Sequence, residues 1–88
     1  MLAYRVQFKK SARKEFDLLP EPVQNKILEA LQLLRVNPYS DLLGIKKLKG
    51  VETLYRMRFG DYRMVYEVQK KLLLVLVIKL GHRKEVYR

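Results

Sequence analysis

Four arginines, Arg56, Arg58, Arg63 and Arg83, are the residues of this sequence best suited to chemistry, with Tyr87 close behind the last of them. A guanidinium stays protonated and its planar fork matches phosphate oxygens, so converging arginines suit a substrate that gathers negative charge at phosphorus. They are poor bases. In RNA, however, the nucleophile can be the substrate's own 2′-OH. It attacks the adjacent phosphate in line and leaves a 2′,3′-cyclic phosphate and a 5′-OH, so the protein need supply only positioning, charge stabilisation and proton transfer.

Two further residues could move protons. By default a Tyr at the position of Tyr87 is packing or fraying surface; within a field of arginines its phenol would ionise below its ordinary value of about 10, or the ring could stack on a splayed base. His82 has an ordinary pKa of about 6.5, suited to acid–base work, although a lone His at a strand end also serves as a structural or surface residue. Lys46, Lys47 and Lys49 are either contacts to an RNA backbone or a solvated loop, and neither reading carries sequence specificity.

The remaining inventory closes off other chemistries. With one His, no Cys and scattered acids, no metal site is expected, and neither disulfides nor thiolates can support the fold. Phosphate-binding glycine loops are absent, so no nucleotide cofactor is expected, and neither Ser11 nor Ser40 lies in a nucleophile motif.

Charge points to an anionic partner. The 88 residues carry a formal charge of +10, of which residues 1–45 contribute +2 and residues 46–88 contribute +8. The N-terminus lacks the pattern of a secretory signal, and the apolar run Leu72–Leu80, interrupted by Lys79, is far short of the roughly 20 residues of a membrane span. A cytoplasmic protein with no membrane partner is expected, folded as one domain over residues 1–88.

The elements that must position these residues can be read from periodicity. Tyr4, Val6 and Phe8 alternate with Arg5, Gln7 and Lys9, as in a half-buried strand. Ser11 offers an N-cap to a first helix with Ala12, Phe16 and Leu19 on one face, ending at Pro20. Pro20 and Pro22 suit the opening of a second helix whose stripe is Val23, Ile27, Ala30, Leu31 and Leu34, closed by Asn37-Pro38. Residues 39–50 show no period and read as a basic loop. Alternation returns with Tyr55, Met57 and Phe59 on one face and Arg56 and Arg58 on the other. Gly60-Asp61 fits a tight turn that sets Phe59 against Tyr62 and Arg58 against Arg63. Like charges so opposed are destabilising unless an anion is shared between them; the other reading of these arginines is an ordinary solvated polar face.

Tyr62–Gln69 then forms a strand with Tyr62, Met64, Tyr66 and Val68 toward the core, Lys70-Lys71 a turn, and Leu72–Leu80 a last strand, apolar enough to be central in the sheet. The expected fold is α+β: an N-terminal strand, two helices, then a three-stranded antiparallel meander, with both helices packed on one sheet face.

Three stretches together resemble the RelE/ParE superfamily of bacterial and archaeal toxins, in particular its RelE-like ribosome-dependent mRNA endonucleases: Lys47-Leu48-Lys49-Gly50; Tyr55-Arg56-Met57-Arg58-Phe59-Gly60-Asp61-Tyr62-Arg63-Met64-Val65-Tyr66; and Gly81-His82-Arg83-Lys84-Glu85-Val86-Tyr87-Arg88. The resemblance covers nearly the whole chain. It implies a toxin of a toxin–antitoxin system that cuts mRNA in the ribosomal A site and is silenced by an acidic, RelB-like antitoxin. It further implies that Arg56 and Arg58 hold the RNA backbone and assist proton transfer, that Arg63 and Arg83 stabilise the transition state, and that Tyr87 orients the nucleotide or activates the 2′-OH. The best-known RelE has lysines at the first two positions, so a lysine-like base is ruled out at Arg56 and Arg58. His82 stands where a basic residue is frequent. The alternatives are a ParE-like inhibitor of gyrase that cleaves nothing, and a non-catalytic RNA-binding module.

Overall fold

The computed structural model describes residues 3–39, 45–48 and 53–82. Strand β1 (Arg5–Phe8) leads into helix α1 (Lys10–Asp17), helix α2 (Glu21–Val36), and strands β2 (Lys46–Lys47), β3 (Leu54–Phe59), β4 (Tyr62–Gln69) and β5 (Leu74–His82). The sheet order is β1-β5-β4-β3-β2; β1 runs parallel to β5 and every other neighbour is antiparallel. The last strand is thus internal, as its apolar run requires.

Helix α1 starts one residue before Ser11, and no side chain caps it. The Lys9 N–H donates to the Val77 carbonyl (2.8 Å) while the Lys9 carbonyl accepts from Arg13 (2.9 Å), so sheet pairing fixes the entry and Ser11 falls inside the helix. Helix α2 opens as expected: the Pro20 carbonyl accepts from Val23 and Gln24, both at 3.0 Å, and Pro22 stands in the first turn, where its missing N–H costs nothing. At its other end Asn37 is extended, and its Oδ1 accepts the Tyr39 N–H at 3.0 Å.

Ile27, Ala30, Leu31 and Leu34 bring the buried stripe of α2 onto Met57, Met64, Tyr66, Val68, Val75, Val77 and Leu80 of the sheet, and Ala12 joins them from α1. Truncating any of the larger ones to Ala costs about 2–5 kcal/mol. Within this core the Tyr66 hydroxyl donates to the Pro38 carbonyl at 3.0 Å, and its ring stacks on Tyr55 at 5.8 Å. Burial pushes the Tyr66 phenol well above its ordinary range, and burial followed by the neighbouring Tyr4 raises Tyr39 from 10.0 to about 12. Tyr66 dominates, being fully buried where Tyr39 keeps 42% exposure. A raised folded value means tighter proton binding in the folded state, so this stability is complete below the unfolded value near pH 10 and is lost as pH climbs toward the folded values. Thermal melts from about pH 9 to 12 should show the midpoint falling above about pH 10; a flat midpoint would contradict the burial of Tyr66.

Two further segments depart from expectation. Within the stretch read as a loop, Lys46 and Lys47 form an edge strand on Arg56 and Tyr55, and Leu48 N–H donates to the Leu54 carbonyl at 3.0 Å. Two residues carry no period to read, and lysines suit a short protected edge. The last strand begins at Leu74, not Leu72, because Lys70–Leu72 form a 3₁₀ turn that Leu73 closes in the left-handed region at φ 49°.

The β4–β5 ladder also carries a bulge. Tyr66 pairs with Val77 and Val65 with Lys79, so Ile78 is the extra residue. Val75 and Val77 face the helices. Strict alternation would send Lys79 the same way; the bulge sends Leu80 there instead and turns Lys79 and Gly81 to the other face. Beyond the end of β1, α1 supplies the missing ladder partner, because Glu15 Oε1 accepts the Leu80 N–H at 3.1 Å.

Candidate nucleic-acid interface

Directly paired residues of a sheet share a face, so the register sorts the candidate residues. Met57 and Met64, 2% and 0% exposed, pair on the helix side, which leaves Arg56, Arg58 and Arg63 on the opposite, open face. The hairpin register is the expected one, Phe59 on Tyr62 and Arg58 on Arg63, with Gly60 at φ 62° supplying the turn conformation that disfavours other residues.

The paired arginines differ in surroundings. Arg58 is exposed, whereas Arg63 is 3% exposed and the one buried charged side chain among the described residues. Its guanidinium folds back under the hairpin, where Nη1 donates to the carbonyls of Gly60 (3.1 Å) and Tyr62 (3.2 Å). Its Nε is buried and has no hydrogen-bond partner among the described residues. Sequence alternation identifies the face but not this burial, which comes from the turn carbonyls drawing the side chain inward. Arg56 is half-buried, and Lys46 stands directly opposite it on the same face.

Other candidates separate. Lys47 pairs with Tyr55 and so belongs to the helix side, where it lines a groove of about 690 Å³ with Tyr39, Tyr55 and Leu72. His82 pairs with Tyr62, their rings 5.8 Å apart and edge-on, and lines a separate cavity of about 430 Å³ with Glu15 and Leu19. The imidazole and the three described arginines therefore lie on opposite sides of the sheet. Arg83, Tyr87 and Lys49 lie outside the described residues. Lys79, by contrast, joins the arginine face through the bulge; in the sequence it reads only as an interruption of an apolar strand.

The described part of this face thus gathers Lys46, Arg56, Arg58, Arg63 and Lys79. Anion binding is the chemistry such a set performs, with Arg63 held in place before any ligand arrives. Among the described residues no group of three or more His, Asp or Glu could hold a metal ion, and no helix is long and apolar enough to cross a membrane.

Comparison with known proteins agrees with the fold. Residues 3–87 match the family described as ParE toxin of type II toxin–antitoxin system, parDE. The mRNA interferase toxin RelE of Escherichia coli K12 is 32% identical over 94 residues, covering 98% of this chain and 92% of that protein. The crystal structure of the archaeal RelE–RelB complex from Pyrococcus horikoshii superposes with a TM-score of 0.81 at 33% identity, over 93% of this chain and 97% of that one. The isolated E. coli RelE toxin superposes with a TM-score of 0.82 at 30% identity, over 97% and 92% of the two chains. By sequence and by fold alike, the chain belongs to the RelE/ParE superfamily of toxins.

Proposed function

We propose that this toxin is an endoribonuclease that cuts mRNA in the ribosomal A site and so stops translation in the cytoplasm. The observation that carries the reading is Arg63, a preformed cation whose buried Nε has no partner among the described residues, beside Arg58 on a face that also gathers Lys46, Arg56 and Lys79. A charge desolvated to this degree is costly unless paired, and a phosphate would pair it. The likeness to a protein named mRNA interferase supplies the substrate class.

In the proposed reaction the 2′-oxygen attacks phosphorus as its proton passes to a base. The P–O5′ bond breaks, the leaving oxygen takes up a proton, and the products are a 2′,3′-cyclic phosphate and a 5′-OH. No cofactor enters, since the substrate supplies the nucleophile. Arg56 and Arg58 hold the backbone, and Arg63 with Arg83 meets the charge developing at phosphorus. Tyr87 is the foremost candidate for the base, because His82 faces the other side of the sheet.

Primer extension on mRNA in programmed ribosomes, with analysis of the new ends, tests this. Cyclic-phosphate and 5′-OH ends are expected, with loss of most of the rate in Tyr87→Phe; 5′-phosphate ends would indicate attack by water and overturn the mechanism. The description of the matching family favours one second reading, gyrase inhibition. Impaired supercoiling with intact mRNA would establish it.

The inhibitor proposed for the toxin is an acidic RelB-like antitoxin. The archaeal relative was crystallised with RelB, and the charge of +10 favours rapid capture by an acidic chain.

A further inference from the structure

We propose that Lys79 is a substrate-binding residue and the far end of a phosphate track, Lys46–Arg56–Lys79, along which single-stranded RNA crosses the sheet at right angles to its strands. The inference rests on the reading of the chain as an RNA-cutting toxin.

The track follows from the register. Lys46 pairs with Arg56, Arg56 with Val65, and Val65 with Lys79, so these four residues form one row on the open face across β2, β3, β4 and β5. At the usual strand spacing of roughly 4.8 Å, the row spans about 14 Å, and its three cations are separated only by Val65. The Arg58–Arg63 pair lies one row nearer the hairpin and flanks the track. A groove-like line of cations following a backbone is how single strands are held without regard to sequence.

Solvation alone is a poor account of Lys79 where it stands. It is half-buried in a strand where Leu74, Val75, Val77 and Leu80 are all buried, and its ammonium has no hydrogen bond or ion pair among the described residues. The described acid on the same face, Glu67, sits in the next row and takes hydrogen bonds from Thr53 (3.4 Å) and Gln69. The bulge that turns Lys79 outward interrupts the central ladder of the sheet, and bulges beside functional sites commonly re-aim a side chain in this way. An acidic segment of the antitoxin could also meet this lysine. The straight row shared with Lys46 and Arg56 favours a regularly charged strand over a side chain of irregular spacing.

The test is equilibrium binding of the full-length toxin, freed of antitoxin, to a short single-stranded RNA carrying 2′-O-methyl groups, which removes the nucleophile. Fluorescence anisotropy between about 50 and 200 mM salt reads both affinity and its salt slope. Lys79→Gln is expected to weaken binding about three- to tenfold and to reduce the slope of log K against log salt by about 0.7, the value for one phosphate contact on a single strand. Lys79→Arg should restore the slope, and Lys26→Gln, an exposed change on the outer side of α2, should leave it alone. A thermal melt of each variant separates lost contact from lost fold.

An unchanged slope in Lys79→Gln overturns the proposal, as does failure of the parent protein to bind the RNA. Weakened antitoxin capture with unchanged RNA binding would assign the residue to the antitoxin instead and equally overturn it. Binding by the parent without cleavage on ribosomes would refute the nuclease reading, yet the slope comparison would still decide the role of Lys79.

Discussion

Arg63→Met is expected to lower the single-turnover rate of mRNA cleavage on the ribosome by about 10²- to 10³-fold, as loss of one preorganised donor to a developing charge does elsewhere, without destabilising the fold. The two halves of this expectation come from the same environment. Arg63 is 3% exposed, lies directly across from Arg58, and keeps a buried Nε without a partner among the described residues. Before substrate binds, that is a desolvated charge opposed by a like charge, and replacing such a group by an apolar one of similar volume is often neutral or stabilising by about 1–4 kcal/mol. The two carbonyls that it engages, Gly60 and Tyr62, belong to a hairpin end where water can replace it. Arg63→Lys should be nearly as inactive as Arg63→Met, since an ammonium cannot reach the turn carbonyls and present a fork to phosphate together. Thermal unfolding measured beside the rate decides the matter. If melting temperature and activity fall together in Arg63→Met, the residue staples the hairpin and is no part of the chemistry.

Tyr66→Ala is expected to be the most damaging of the core substitutions to stability, at about 3–5 kcal/mol by the precedent of other large aromatic truncations. Tyr66 has no exposed surface, stacks on Tyr55 and ties Pro38 to the sheet through its hydroxyl. A domain of this size has a net stability toward the low end of about 5–15 kcal/mol, so much of that margin would go. Tyr66→Phe should cost only about 1 kcal/mol, the net value of a hydrogen bond whose acceptor is left unpaired. Urea unfolding of both variants checks the difference. Near-equal losses would mean that the hydroxyl, and not the ring, secures the chain leaving α2.

Much of the architecture was legible because its signals are local. The stripe of α2, the stop at Asn37-Pro38 and the turn at Gly60-Asp61 each depend on neighbours in sequence, and the turn alone fixed Arg58 opposite Arg63. The unbroken apolar character of the last strand placed it inside the sheet. What stayed hidden depends on distant partners. The start of α1 is set by Lys9 reaching Val77, and the bulge by how β5 meets β4 while Glu15 holds Leu80. Because a bulge inverts the alternation beyond it, Lys79 came to the cationic face and His82 went to the other, and periodicity alone carries neither fact. The burial of Arg63 was hidden for a related reason: alternation gives the face on which a side chain starts, not where its guanidinium ends.

The parallel pairing of β1 with β5 joins residues about 70 positions apart, Arg5 with Leu74. No hairpin can make that contact; the chain must bring its first strand alongside its last, and such long-range closure is slow in folding. The sheet is therefore incomplete until residues 74–82 have been synthesised, and the cationic row lacks Lys79 until then. A growing chain of this protein cannot complete the surface while that segment is still inside the ribosome making it.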